Sequence, residues 1–155
     1  MEIIFVFGKI CSGKDYICNT LNTFESGPKY KIITISNILR KITGFSNRSD
    51  LFMTEDLKDN IFEELSKEFD SNKIIINGIR QIEVLDFILE NYENSNIKMY
   101  WIECDDDLRK KRFENRNDRK DNLTIEEDDA RDNKMGLSKI LEKYGEYMTL
   151  IDNNF

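Results

Sequence analysis

The sequence has no histidine, one proline and three cysteines, and these scarcities exclude several classes of chemistry. Without imidazole the chain has no Ser-His-Asp triad and no histidine metal ligand, which removes triad hydrolases and most zinc sites. Cys11, Cys18 and Cys104 are odd in number and lack CxxC spacing, so neither a disulfide framework nor a four-cysteine metal site is expected. This cysteine content predicts a reducing, cytoplasmic location.

Neither membranes nor nucleic acids are expected partners. No apolar stretch approaches the roughly 20 residues of a membrane span. The first residues, Met1 to Phe7, lack the basic region and cleavage site of a signal peptide. Acidic residues outnumber basic ones by 30 to 23, and the net charge of -7 disfavours general affinity for nucleic acid or anionic lipid. Any anion-binding site must therefore be local.

Length and hydrophobic pattern predict a single α/β domain. The 155 residues, of which 39% are hydrophobic, are enough for one substantial core. Ile3 to Phe7 is a continuous apolar run, typical of a central strand buried on both faces. Four further strands are predicted at 30–36, 73–77, 98–103 and 148–152. Because helical patterns separate the strands, we expect three layers, with helices flanking a mainly parallel five-stranded sheet.

The helices are predicted from apolar spacing and capping residues. Ile17, Leu21 and Phe24 share one face of a helix that begins near Lys14 and stops before Gly27-Pro28. The other helices have these signals: Leu57, Ile61 and Leu65 behind a Thr54-Glu55-Asp56 cap; Val84, Phe87 and Ile88; a cap at Asp105 to Asp107; and capping-box spacing from Thr124 to Glu127. Segment 114–122 is almost free of apolar residues and is expected to be an exposed, mobile loop.

A glycine-rich segment between the first strand and the first helix has the clearest functional signal. It matches the GxxxxGK core of the P-loop, in the strand-to-helix context that the motif requires, and comprises Gly8, Lys9, Ile10, Cys11, Ser12, Gly13 and Lys14. The glycines let backbone N–H groups face phosphate oxygens, and Lys14 reaches the β and γ phosphates. The segment therefore predicts a nucleoside triphosphate site, and the alternative is a glycine-rich turn with an exposed lysine.

Two positions depart from the usual P-loop pattern in opposite directions. Asp15 stands where Ser or Thr normally ligates Mg²⁺, and Asn77 ends the third strand where an acidic residue is usual. A carboxylate is a hard oxygen ligand, so Asp15 is a candidate magnesium ligand. We hypothesise that Asp15 supplies the negative charge that Asn77 lacks. The alternative is that Asp15 is tolerated at a loop end and Asn77 is a strand-terminal turn residue.

Two arginines are placed to bind a second phosphate. Arg40 follows the second strand, in the first turn of the predicted helix, and Arg80 follows the third strand. Ligands of open α/β folds bind at this carboxyl edge of the sheet, and the guanidinium fork suits phosphate. Either arginine alone would be read as solvated surface, but together, facing a P-loop, they predict an acceptor-phosphate site.

A further arginine cluster follows the fourth strand. Arg109, Arg112 and Arg116 recur at i, i+3 and i+7, with Arg119 beyond them and Arg131 after the polar loop. A solvated basic helix face is one interpretation. The functional interpretation is that these groups close over the transferring phosphoryl group, because phosphoryl transfer depends on positioning and charge stabilisation.

In this order, the P-loop, Arg40, Arg80 and the arginine-rich helix make the whole chain resemble the nucleoside monophosphate kinase group of P-loop kinases. Ser36 to Arg40 resembles the adenylate-kinase segment whose arginine binds the acceptor monophosphate. Asn77 to Arg80 is similar to a D-G-x-R motif, with Asn in place of Asp.

The later segments and the loop itself support the same resemblance. Arg112, Arg116 and Arg119 fall in the region of the family's lid. Arg131-Asp132 followed by Gly136-Leu137 is similar to the lid-flanking segment of small adenylate-kinase-like and dephospho-coenzyme A kinase-like proteins. The form Ser12-Gly13-Lys14-Asp15 is similar to the P-loops of bacteriophage-type deoxynucleoside monophosphate kinases and animal phosphomevalonate kinases.

The resemblance implies an ATP- and Mg²⁺-dependent kinase that converts a (deoxy)nucleoside monophosphate to its diphosphate, working as a monomer or homodimer. It implies an acceptor-binding region at about 36–70 and a lid at about 114–133 within the single domain 1–155. The roles implied are donor binding by residues 8–15, metal binding by Asp15, acceptor binding by Ser36, Arg40, Arg80 and Gln81, and catalysis by Lys14, Arg80, Arg112, Arg116, Arg119 and Arg131.

Two alternative functions remain open. In the first, the acceptor is phosphomevalonate or a coenzyme A precursor; in the second, the protein is a non-catalytic nucleotide-binding switch. Gln81 either reads a base edge or is a polar residue at a helix start.

Overall fold

A computed structural model describes residues 1–44, 58–116 and 123–154. Its five strands all run parallel in the order β2-β3-β1-β4-β5, so the first strand is central, as predicted. The strands are β1 (Glu2–Gly8), β2 (Lys31–Thr34), β3 (Lys73–Asn77), β4 (Asn96–Glu103) and β5 (Met148–Asp152).

The central strand is apolar from Ile3 to Phe7 because both of its faces are covered. Phe5 and Phe7 belong to the larger core cluster, while Ile4 and Val6 belong to the smaller one on the opposite face. This alternation follows from the two-residue period of a strand. Trp101, in β4, is buried in the larger cluster, as expected for a core strand.

Helices cover both faces of the sheet, and the three-layer prediction is confirmed. They are α1 (Lys14–Thr23), α2 (Ile35–Thr43), α3 (Lys58–Glu68), α4 (Ile82–Asn91), α5 (Asp106–Glu114), α6 (Ile125–Met135) and α7 (Leu137–Tyr144), the last followed by a 3₁₀ turn at Gly145–Tyr147. The capping box at Thr124 and Glu127 has both of its hydrogen bonds. Within the described ranges, no helix is long and apolar enough to cross a bilayer.

Two boundary predictions are wrong. Helix α1 ends at Thr23, and Phe24 is 82% exposed rather than packed on the core. Strand β2 ends at Thr34 and α2 begins at Ile35, so Arg40 lies in the last turn of its helix rather than the first. Ile35, Ile38 and Leu39 are buried with helical spacing, and this packing overrides the strand preference of the apolar run.

Some sequence predictions lie outside the described residues. These are the Thr54-Glu55-Asp56 cap with Leu57, Arg119, and most of the polar segment expected to be a loop.

Candidate active site

The P-loop lies where β1 ends and α1 begins, at the centre of the sheet's carboxyl edge. The backbone curls through two residues with positive φ, Cys11 at 60° and Gly13 at 92°. The Lys14 ammonium lies inside the curl, where it donates hydrogen bonds to the carbonyl oxygens of Gly8 at 3.2 Å and Lys9 at 3.1 Å. The loop is therefore closed around its own cation, in the geometry that the motif predicts.

The end of the chain supports this loop from behind. After β5, the backbone N–H of Asn153 donates to Glu103 O at 2.8 Å, which extends the pairing of β4 and β5. The side chain of Asn153 is buried, and its Nδ2 donates to Ser12 O at 2.9 Å. Sequence reasoning missed this contact. The available signal was a pair of polar residues directly after the last strand, at the carboxyl edge.

Two arginines of α5 also hold the loop. Arg109 is only 3% exposed; its Nε donates to Ile10 O at 3.0 Å, and its terminal nitrogens pair with Asp106 and Asp129 at 3.0 and 2.6 Å. The expectation that Arg109 closes over the phosphoryl group is therefore wrong, because its guanidinium is buried beneath the loop and binds Ile10 O, Asp106 and Asp129 there.

Arg112 holds the same loop but also reaches the cavity in front of it. Its Nη1 lies 3.2 Å from Cys11 O and 3.2 Å from the Cys104 thiol, and its Nη2 donates to Asn153 O at 3.1 Å. Arg116 lies just past the end of α5, with Nη1 at 3.9 Å from the Cys11 sulfur.

A cavity of about 660 Å³ opens in front of the loop and brings most of the predicted residues together. It is lined by five cationic side chains and one carboxylate, which are Lys14, Arg40, Arg80, Arg112, Arg116 and Asp15. Ser36 also lines it. In a chain of net charge -7, this cavity concentrates positive charge locally, as an anion site would require.

Gln81 and Arg131 are placed differently from the other predicted residues. Neither of them is one of the described residues that line the cavity. Gln81 is buried at the N-terminus of α4, which favours the helix-start interpretation over base recognition. Arg131 lies on α6, where its Nη1 is 3.9 Å from the buried carboxylate of Asp128.

The two unusual positions of the P-loop pattern are in direct contact. Asn77 Nδ2 donates to Asp15 Oδ1 at 2.5 Å, because the register of β1 and β3 pairs Asn77 with Val6, near the start of the loop. Asn77 is 2% exposed, and its Oδ1 has no hydrogen-bond partner among the described residues. A carboxylate beside an orphaned amide oxygen is a hard-oxygen donor set that fits Mg²⁺. The described ranges contain no group of three or more side chains able to hold a metal, so its other ligands would be phosphate and water.

Arg40 and Arg80 are held in place by neighbouring groups. Arg40 Nη1 donates to Asn37 Oδ1 at 3.1 Å and to Ser36 Oγ at 3.4 Å. Arg80 Nη1 donates to Gly78 O at 3.1 Å, and its Nε lies 2.9 Å from Asp132 Oδ1. Both guanidinium groups line the cavity, and their partners restrict the orientations they can adopt.

Cys18 lines the cavity, but its thiol is not reactive. Burial, followed by the nearby charge of Asp15, raises the pKa of its thiol to about 12. The thiol is therefore neutral at physiological pH and is not an activated nucleophile.

Comparison with known proteins gives a fold and no family. No family model and no curated protein matches the sequence. A gluconokinase from Sinorhizobium meliloti 1021 matches with a TM-score of 0.58 and 12% identity, over 97% of this chain and 82% of that one. A tunicamycin resistance protein from Deinococcus radiodurans matches with a TM-score of 0.60 and 14% identity, over 97% of this chain and 85% of that one. At such identities the likeness is one of fold alone, and the chain shares with both proteins the three-layer α/β fold that the sequence predicted.

Proposed function

We propose that the protein is an ATP- and Mg²⁺-dependent kinase that transfers the γ-phosphoryl group to a small monophosphate, in first place a nucleoside or deoxynucleoside monophosphate. The observation that carries the proposal is the cavity with cations on two sides. Lys14 and the P-loop follow β1, whereas Arg40 and Arg80 follow β2 and β3, the two strands that lie together on one side of β1 in the sheet. A second anionic group opposite the donor would account for two braced guanidinium groups there.

The residues of the cavity divide the work of phosphoryl transfer. The loop N–H groups and Lys14 would hold the donor, while Arg112 and Arg116 would offset charge that develops on the transferring group. Bound Mg²⁺ would be held by Asp15 and would neutralise donor oxygens. Positioning and charge stabilisation are nearly all that this chemistry requires, so the lack of histidine is no obstacle. Lid roles for Arg119 and Arg131 remain predictions.

The proposal is tested by measuring ADP formation from ATP and Mg²⁺ with a panel of acceptors. The panel contains all ribo- and deoxynucleoside monophosphates, phosphomevalonate and dephospho-coenzyme A, with gluconate as an acceptor that offers no phosphate. We expect turnover with a nucleoside monophosphate. Turnover with gluconate alone would contradict a monophosphate acceptor, and ATP binding without any transfer would favour a nucleotide-binding switch.

Magnesium binding should depend on the Asp15 and Asn77 pair. We expect Asp15→Ser to weaken Mg²⁺ affinity by about tenfold or more, by analogy with the loss of groups around a metal. Adding Asn77→Asp should partly restore it, because the second change returns the negative charge to the same contact. Calorimetric titration of Mg²⁺ into the ADP-bound protein measures both effects without relying on activity.

The matched control for this pair is Asp107→Ser, which removes an acidic residue from the first turn of α5 as Asp15→Ser does from α1. It should leave Mg²⁺ affinity unchanged. Strictly additive losses in the double variant would contradict compensation between Asp15 and Asn77.

A further inference from the structure

Arg80 is held by a carboxylate that is remote in sequence and buried. Asp132, on α6, is 1% exposed, and its Oδ1 lies 2.9 Å from Arg80 Nε. The Arg80 side chain is 12% exposed and lines the cavity. An ion pair this deeply buried restricts the guanidinium to one region of space, since separating it would leave a charge without its partner in the interior.

The backbone around the pair brings α6 unusually close to the acceptor side of the cavity. Gly136 ends α6 with φ +131°, and a Cβ there would lie 3.1 Å from Arg80 O and 3.2 Å from Ile82 N. A side chain at this position would be strained by the positive φ and would fit only if the segment after β3 shifted by a few tenths of an ångström. This close approach carries Asp132 to the side chain of Arg80.

The same helix also reaches the donor side. Asp129 pairs with Arg109 at 2.6 Å, and Arg109 in turn donates to Ile10 O in the P-loop. Asp129 and Asp132 are three residues apart and so lie on neighbouring parts of one helix face. A single rigid element therefore holds one arginine beneath the donor loop and another at the acceptor side.

We infer that Asp132 is a positioning residue that sets the Arg80 guanidinium for the acceptor phosphate, an inference that rests on the proposed function. Asp132 is not one of the described residues that line the cavity. It acts through its ion pair with Arg80. Through Asp129 and Arg109, α6 also fixes the position of Arg80 relative to the P-loop.

The test measures binding of inorganic phosphate to protein saturated with Mg²⁺ and AMP-PNP, so that the donor site is filled and the phosphate probe reports the acceptor site. Asp132→Asn keeps the size of the side chain and removes its charge. We expect it to weaken phosphate binding by about tenfold, within the usual coupling of contacting pairs, and to leave AMP-PNP affinity unchanged. Equal phosphate affinity in Asp132→Asn and the unchanged protein would overturn the inference.

A double-mutant cycle with Arg80→Gln distinguishes an effect of Asp132 through Arg80 from a nonspecific disturbance of the structure. Because Asp132 acts through Arg80, D132N should cause no further loss of phosphate binding in the R80Q background. It should also raise the thermal stability of R80Q, since it removes a buried carboxylate that has lost its arginine. Loss from D132N that persists in full in the R80Q background would overturn the inference. If R80Q fails to fold, Arg80→Lys takes its place in the cycle.

The control is Asp86→Asn, which removes another carboxylate that bridges two elements. Asp86, on α4, pairs with Lys143 of α7 at 3.2 Å and is not among the described residues that line the cavity. It should leave phosphate affinity unchanged, and an equal loss of phosphate binding in D86N and D132N would overturn the inference. Wild-type phosphate affinity in R80Q, or failure of the protein to bind AMP-PNP, would instead overturn the proposed function and the inference together.

Discussion

Replacing Lys14 with alanine should reduce phosphoryl transfer by about 100- to 1000-fold, the usual cost of removing one preorganised charge-stabilising group. The ammonium is already inside the loop, held by the carbonyl oxygens of Gly8 and Lys9, so its position does not have to be created when the donor binds. The variant should fold, because these contacts are partly exposed and replace hydrogen bonds to water. Steady-state transfer to the acceptor identified on the panel measures the effect.

Lys9→Ala is the matched control, since it removes the same charge from the same loop. Lys9 is exposed and is not among the described residues that line the cavity. We expect its transfer rate to stay within about twofold of the unchanged protein, as for most surface substitutions. Equal losses in the two variants would mean that general positive charge, rather than the placed ammonium, drives transfer.

Replacing Gly13 with alanine should lower the free energy of unfolding by about 2 to 5 kcal/mol, from left-handed strain and overpacking combined. Gly13 has φ +92°, a conformation that side chains rarely adopt, and a Cβ there would lie 2.0 Å from Asn153 Nδ2. Asn153 cannot easily yield, because it is buried and its Nδ2 is bound to Ser12 O. The change should also abolish nucleotide binding, since the same backbone forms the phosphate cradle. Urea unfolding and ATP binding measure the two effects.

Gly44 offers a control that separates strain from the clash. It ends α2 with φ +73°, and a Cβ there would meet no atom of the described residues within 4 Å. Gly44→Ala should therefore cost about 1 to 2 kcal/mol, the left-handed penalty alone, and leave ATP binding intact. If Gly13→Ala costs no more than Gly44→Ala, the Asn153 side chain moves aside and the proposed rigidity of the loop's support is wrong.

The sequence was sufficient to predict those elements whose patterns involve only residues close together in the chain. The continuous apolar run of β1, the capping box of α6 and the glycine spacing of the P-loop each depend on residues close together in the chain. The predicted strand, helix cap and curled strand-to-helix loop are all present. The paired departures at Asp15 and Asn77 could also be noticed, because each stands at a recognisable position in a motif. Their contact at 2.5 Å depends on the register of β1 and β3.

Periodicity and short motifs were therefore enough to predict the fold class and the strand-to-helix loop, but they did not separate the arginines that line the cavity from those that do not. The contacts and burial of each charged residue depend on tertiary packing. Arg109 and Arg112 have the same local spacing, yet one is buried under the loop and the other reaches the cavity. In α6, Asp128 and Asp132 are buried at 0% and 1% exposure, although aspartate is usually exposed. Burial and pairing depend on elements far apart in the chain, such as Asn153 with Ser12 and Asp132 with Arg80, and no local pattern records which distant group packing will bring into contact.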